Sequence, residues 1–323
     1  ALKRLVGRMP TVGFVTGHQE RDVFNSGDRG YNMFSVRKDQ RYALINQGFD
    51  VDTLSLRQEI PDTINILVIA DPRAPFDELE IRHLFRYVER GGNLLLALKP
   101  GREEYLREVL DYIGIRAVPG VLVADRGEDI APDVMIGKIT DDALPCSYIF
   151  DAMRRAWGYM LLSDACGLEF QAGNGFEGVP LIVCDSVWNE LQTTDYVNDV
   201  VRYDAERGER MGNYAVMWGV SRSKGEKEQK IIVLGDADAL SNKGILAQHG
   251  LPLESGNYQL MMGMFHWLSD HELPVDVRRP DPVDNELKLS EFGVKVWDKV
   301  IVWGIPSLLL VVYLFLWIRR RGR

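Results

Sequence analysis

Residues 300–318 read VIVWGIPSLLLVVYLFLWI, nineteen positions without a charge. As a helix rising 1.5 Å per residue, this run spans about 28 Å, close to the roughly 30 Å hydrocarbon thickness of a bilayer. Trp297 and Trp303 lie near one end and Trp317 at the other, where amphipathic rings prefer the membrane interface. Arg319, Arg320 and Arg321 follow at once, whereas the opposite flank carries Lys295, Asp298 and Lys299. The positive-inside tendency therefore predicts a transmembrane helix over 297–318, a cytoplasmic Arg-rich tail at 319–323, and the bulk of the chain outside the cytoplasm. A buried core helix is the competing reading, but such helices are seldom apolar all round for so long. Pro306 interrupts one backbone hydrogen bond, which membrane helices tolerate more readily than soluble ones. Residues 1–8 carry Lys3, Arg4 and Arg8 and no sustained apolar stretch. An exported body then needs a signal upstream of Ala1, and an N-terminal portion with its own membrane helix is expected there.

The chain as a whole has ordinary globular composition, 46% hydrophobic and 26% charged over 323 residues, which excludes a disordered or disulfide-dense scaffold. Its net charge is −9 even with the terminal arginines counted. An acidic body repels phosphate backbones, so no nucleic-acid partner is expected.

Apolar periodicity divides the body. TVGFVT at 11–16, INILVIA at 64–70, NLLLAL at 93–98 and KIIVL at 230–234 are short, nearly continuous apolar runs, the mark of strands covered on both faces. FDVDTLSL at 49–56 alternates, as a half-exposed edge strand does. Between these runs lie helical patterns: Tyr31, Phe34, Tyr42 and Ile45, stopped by Gly48; Ile81, Leu84, Phe85 and Val88, opened by an Asp77/Glu80 capping box and closed by Gly91 and Gly92; Leu106, Val109, Leu110 and Ile113, stopped by Gly114. This rhythm predicts an α/β fold with a parallel sheet and helices on both faces. Residues 115–229 form an irregular, β-rich section with strand-like runs at 121–124, 180–184 and 214–220. A final helix is expected over 258–268. The extracytoplasmic domain then runs from 1 to 270, and a Pro- and charge-rich connector occupies 271–296.

Ligands in open parallel sheets bind beyond the C-terminal strand ends. Those ends carry His18, Glu20, Asp71, Lys99, Asp236 and Asp238. Imidazole and carboxylates at this edge suit a ligand or divalent cation. Asp71-Pro72 and Gly235-Asp236 are equally turn chemistry, in which aspartate accepts from nearby backbone N–H groups. Enzyme signatures are missing from the sequence: there is no G-x-x-x-x-G-K-S/T loop, no G-x-G-x-x-G after the first strand, no G-x-S-x-G or G-x-C-x-G elbow and no H-E-x-x-H. No catalytic residue, metal site or cofactor is assigned. His83 and His266 fall inside predicted helices and read as packing or surface residues. Cys146, Cys166 and Cys184 read as inert thiols, Cys184 as a small buried hydrophobe in an apolar strand, with one disulfide left open.

Several segments together resemble the extracytoplasmic auxiliary component of the gliding-motility-type ABC transporter family. They are TVGFVTGHQE at 11–20, the stretch 64–101, IIVLGDADALSN at 231–242, GNYQLMMGMFHWLSD at 256–270, and the closing Arg-Arg-Pro, apolar helix and Arg cluster. Where that family commonly has Gly-His-Gly-Glu, this chain has Gly17-His18-Gln19-Glu20. The resemblance implies a class I glutamine-amidotransferase-like sandwich without the catalytic apparatus. It also implies a non-enzymatic role beside an ABC permease and an ATPase at the bacterial inner membrane. A ligand- or metal-binding sensor domain is the alternative.

Overall fold

The computed structural model describes residues 9–125, 130–192, 195–196, 201–225, 227–246, 256–274 and 291–321. The chain divides into two units, 1–276 and 277–323. Most of the connector expected at 271–296 lies outside the described residues.

In the first unit, twelve strands join one sheet. They are β1 (Thr11–Val15), β2 (Asp50–Leu54), β3 (Ile64–Ala70), β4 (Asn93–Ala97), β5 (Ile115–Ala117), β6 (Val121–Val123), β7 (Val134–Ile139), β8 (Tyr159–Ser163), β9 (Leu168–Phe170), β10 (Glu177–Glu190), β11 (Met211–Lys224) and β12 (Lys227–Leu234). Their main order is β2-β1-β3-β4-β12-β11-β10-β7-β8. The five strands from β2 to β12 pair in parallel, whereas β12, β11, β10, β7 and β8 pair antiparallel. The sheet is therefore mixed, and the β-rich middle section extends the parallel half instead of standing apart from it. The change of sense falls on β12, which pairs Val233 with Leu96 on one side and with Trp218 on the other. A tight turn at Gly225, φ +66°, folds β11 back onto β12.

Alternate side chains of the parallel strands feed two cores, which is why these runs are apolar at nearly every position. Phe14, Ile66, Val68, Leu95 and Ile232 share one core with Phe34, Leu44 and Phe265. Leu67, Ile69, Leu94, Leu96 and Val233 share the other with Leu84, Val88, Val109 and Leu110. Each fully buried side chain of this size contributes about 1.5–3 kcal/mol, so the two apolar layers fix the sheet between helices.

The helix Glu78–Glu89 starts at the expected capping box: Asp77 Oδ1 accepts from the Glu80 N–H at 2.9 Å, and Glu80 Oε2 accepts from the Asp77 N–H at 3.0 Å. The single helical pattern expected after β1 resolves into two four-residue helices, Asn32–Ser35 and Leu44–Gln47. Polar residues 37–41 cannot be buried between their apolar ends, so that stretch turns. The helix Asn257–Leu268 is apolar almost all round because it sits inside the first core. Gly263 makes this possible; a Cβ there would lie 2.5 Å from the Phe150 ring. Cys146, Cys166 and Cys184 are free and buried.

In the second unit, Val296–Arg321 is one helix long and apolar enough to cross a membrane. Its Trp297, Trp303 and Trp317 rings are exposed. Residues Val300–Gly304 form a π turn in which the Ile305 N–H reaches back to the Val300 carbonyl. This wider turn adjoins Pro306, whose ring lacks a donor and crowds the carbonyl four residues earlier. The last turn carries Arg319, Arg320 and Arg321, which complement the negative helix end.

Candidate functional site

Because β1, β3, β4 and β12 run parallel, their C-terminal ends open on one edge of the sheet. The chain beyond each end is tied to its neighbour: Arg21 N–H donates to the Ala70 carbonyl, Asp71 N–H to Ala97 and Leu98 N–H to Leu234, at 2.8–3.0 Å. Asp71 adopts φ +51°, a left-handed conformation that aspartate tolerates better than most residues.

The six residues singled out in the sequence form two clusters on this edge. His18 belongs to the first. Its Nε2 lies 3.1 Å from Glu80 Oε2, its ring packs 4.4 Å from Phe76, and its N–H donates to Glu20 Oε2 at 2.7 Å. Glu80 thus serves the helix cap and the imidazole together. Among the described residues, no hydrogen bond or ion pair joins His18 or Glu20 to Asp71, Asp236 or Asp238.

Those three aspartates form the second cluster, in an ion network. Asp71 is fully buried and takes Arg21 Nη2 at 2.8 Å, Arg29 Nη2 at 3.0 Å and Arg102 Nη1, with Arg73 Nε 3.9 Å away. Lys99 Nζ reaches Asp236 Oδ1 at 3.2 Å, Asp238 Oδ2 at 2.9 Å and Asp164 Oδ2 at 3.0 Å, and donates to the Ser163 and Asp164 carbonyls. Arg21 Nη2 joins the two halves by contacting Asp238 Oδ1 at 2.7 Å. Asp236 also performs the turn chemistry expected of it, accepting from the Asp238 N–H, and it accepts from Ser163 N–H across the sheet.

Burial and charge act oppositely here. Desolvation pushes Asp236 up to about 6, against the attraction of Lys99. For Lys99, burial is outweighed by Asp236, Asp238 and Asp164, and its ammonium is held above its ordinary value. One shared ammonium stabilises each of three carboxylates only in part, while Asp236 alone is completely desolvated. Burial likewise opposes ionisation of Asp238, yet Lys99 and Arg21 outweigh it and hold this carboxyl low.

A raised carboxyl stabilises the fold most below the unfolded value of 3.8, and that contribution disappears as pH rises through about 6. Asp236→Asn is therefore expected to flatten a stability rise of about 2 kcal/mol as pH falls from 7.5 to 4.5. Urea midpoints across that range measure it. Asp238 acts with the opposite sign, but only as pH falls below the ordinary carboxylate range.

Sequence reasoning found Asp71, Asp236, Asp238 and Lys99 of this network and missed Asp164, Arg21, Arg29, Arg73 and Arg102. One signal was available: a cation lies within a few residues beyond the ends of β1, β3 and β4. Among the described residues, no group of three or more His, Cys, Asp or Glu side chains is placed to hold a metal ion. His83 lies on the helix Glu78–Glu89 with Nδ1 2.7 Å from the Leu56 carbonyl, and His266 is buried against Ser147.

Residues 9–144 match a family of auxiliary components, ABC_transp_aux, described as "ABC-type uncharacterized transport system". That segment runs from the approach to β1 to just beyond β7 and includes His18, Asp71, Lys99 and Arg102. No curated protein matches the chain. Among solved structures, the mmIFT52 N-terminal domain is similar at 17% identity and a TM-score of 0.55, over 80% of this chain and 97% of that one. This likeness is one of fold. A ThuA-like protein from Parabacteroides merdae aligns over 85% of this chain and 94% of its own, at 11% identity and a TM-score of 0.44.

Proposed function

We propose that the chain is a non-catalytic, membrane-anchored extracytoplasmic auxiliary module of an ABC-type transporter or exporter, working beside a permease and an ATPase. The observation that carries this reading is the family match over 9–144 in a chain that also has an exposed apolar helix ending in arginines. In this reading residues 1–270 lie outside the cytoplasmic membrane, 271–296 connect, 297–318 span it and 319–323 remain inside. The gliding-motility-type likeness and the class I glutamine-amidotransferase-like sandwich of the body belong to the same proposal; helices on both faces of the parallel half support the latter. A non-catalytic role is supported by the charge pairing at the sheet edge, where Lys99 and Arg21 hold the carboxylates that a general base would need free, and by burial, which pushes the Cys166 thiol up.

Affinity purification of the full chain from native membranes in mild detergent tests the proposal. A permease and a Walker-loop ATPase are expected to co-purify, and recovery of neither would overturn it. A sensor domain unconnected to transport, the alternative, predicts purification without both.

A further inference from the structure

A cavity of about 430 Å³ opens above the ion network, lined by Arg21, Arg29, Arg73, Lys99, Arg102 and Lys243 together with Asp28, Asp164 and Asp238. The volume is that of a small-molecule site. Its charge is unevenly distributed. Lys99 is saturated by three carboxylates and two carbonyls, but at the other end four guanidinium groups converge on Asp71 alone, Arg21 sharing Asp238 with Lys99. Two carboxylate oxygens cannot satisfy four guanidiniums, each carrying five N–H donors in a fixed fork. Arg29 and Arg102 each donate one hydrogen bond to Asp71, and Arg73 donates none from its side chain among the described residues. Their side chains are 47%, 35% and 35% exposed, so the remaining donors face the cavity. Beneath them, Arg21 is 2% exposed and its Nε has no partner. Lys243 makes no ion pair among the described residues.

The arrangement is held in place. Asn242 donates from its side chain to the carbonyls of Asn25 and Gly27, and its N–H bonds Gly30. The Lys243 N–H bonds the Asp28 carbonyl at 3.1 Å. The loop bearing Arg29 is thereby fixed to the short helix bearing Lys243, while Asp71 fixes Arg102. A structural salt bridge needs one or two arginines per carboxylate; this corner has a surplus that points into open space.

We infer that the cavity binds a phosphate group, free or carried on a small molecule or lipid headgroup, through Arg29, Arg73, Arg102 and Lys243. Guanidinium forks match the oxygens of phosphate two at a time, and a tetrahedral phosphate group, monoester or diester, offers acceptors to cations arriving from several sides. A planar monoanion would leave part of the surplus unmatched. Burial together with the like charges of Arg29 and Arg102 already holds the Arg73 guanidinium below its ordinary value, a cost that an incoming anion relieves. The inference is independent of the transporter reading, because it rests only on the sheet edge.

The test is calorimetric titration of the full chain in uncharged detergent, at fixed ionic strength, with inorganic phosphate, glycerol 3-phosphate and a short-chain phosphatidylglycerol. Chloride and short-chain phosphatidylcholine are the controls. Saturable binding in at least one phosphate arm is expected, and the arm with the highest affinity identifies the source. The double variant R73Q/K243Q should weaken that binding by about tenfold or more. Its ligand-free unfolding temperature should stay within about a degree, since neither side chain makes a close ion pair. Heats no larger than the controls in every arm, or unchanged affinity in the double variant, would overturn the inference.

Discussion

Asp71→Asn is expected to destabilise the body by about 3–5 kcal/mol, the cost of leaving buried charge without its counter-ion. The substitution keeps the shape of the side chain and a residue that accepts the left-handed φ of +51°, so it isolates the charge. Four guanidiniums then face one another, with Arg21 almost fully buried among them. Arginine cannot shed its proton, so no pH between 5 and 9 should relieve the loss. Urea unfolding of the full chain, followed by tryptophan fluorescence, measures it as a lowered midpoint at unchanged slope. A loss below about 1 kcal/mol would show that solvent or neighbouring acceptors neutralise the arginines.

Lys99→Met should cost a similar amount at pH 7.5, about 3–5 kcal/mol, with a different pH dependence. It removes the ammonium from Asp236, Asp238 and Asp164 and leaves the fully buried Asp236 with backbone donors alone. A stranded carboxylate can take up a proton. With Lys99 in place Asp236 titrates at about 6; without it the value moves higher, so the penalty should begin to shrink above pH 6 and be largely gone by pH 5. Parallel denaturation curves for the two variants at pH 5 and pH 8 make the comparison direct. A Lys99→Met penalty as insensitive to pH as that of Asp71→Asn would contradict this account.

Much of the parallel half can be read from residue order. The run 64–70 is a strand from end to end, the Asp77/Glu80 box opens its helix, and the helix expected over 258–268 spans Asn257–Leu268. Continuous apolar runs are visible because both faces are covered. The long antiparallel strands are much less legible. β10 and β11 each span fourteen residues, but only 180–184 and 214–220 carry a clear apolar pattern. Register shifts near Pro180 and between Cys184 and Val187 break the alternation, and the strand ends are partly exposed. Lys99 apart, the cationic half of the site was illegible for another reason. Arg29 and Arg102 lie 42 and 31 positions from Asp71, and an arginine in a loop ordinarily belongs to the solvated surface. Its partner is evident only once the strand order is known.

That strand order also constrains how the chain acquires its shape. β12 lies beside β4 although about 130 residues separate them in sequence, so β4 emerges during synthesis with one row of backbone donors and acceptors unmatched. The segment through residue 144 consequently cannot close its own hydrogen-bond ladder or bring Asp236 to Lys99. A nascent chain halted before β12 would expose a sticky, half-finished edge, whereas release a few dozen residues later would supply the wedge that seals it.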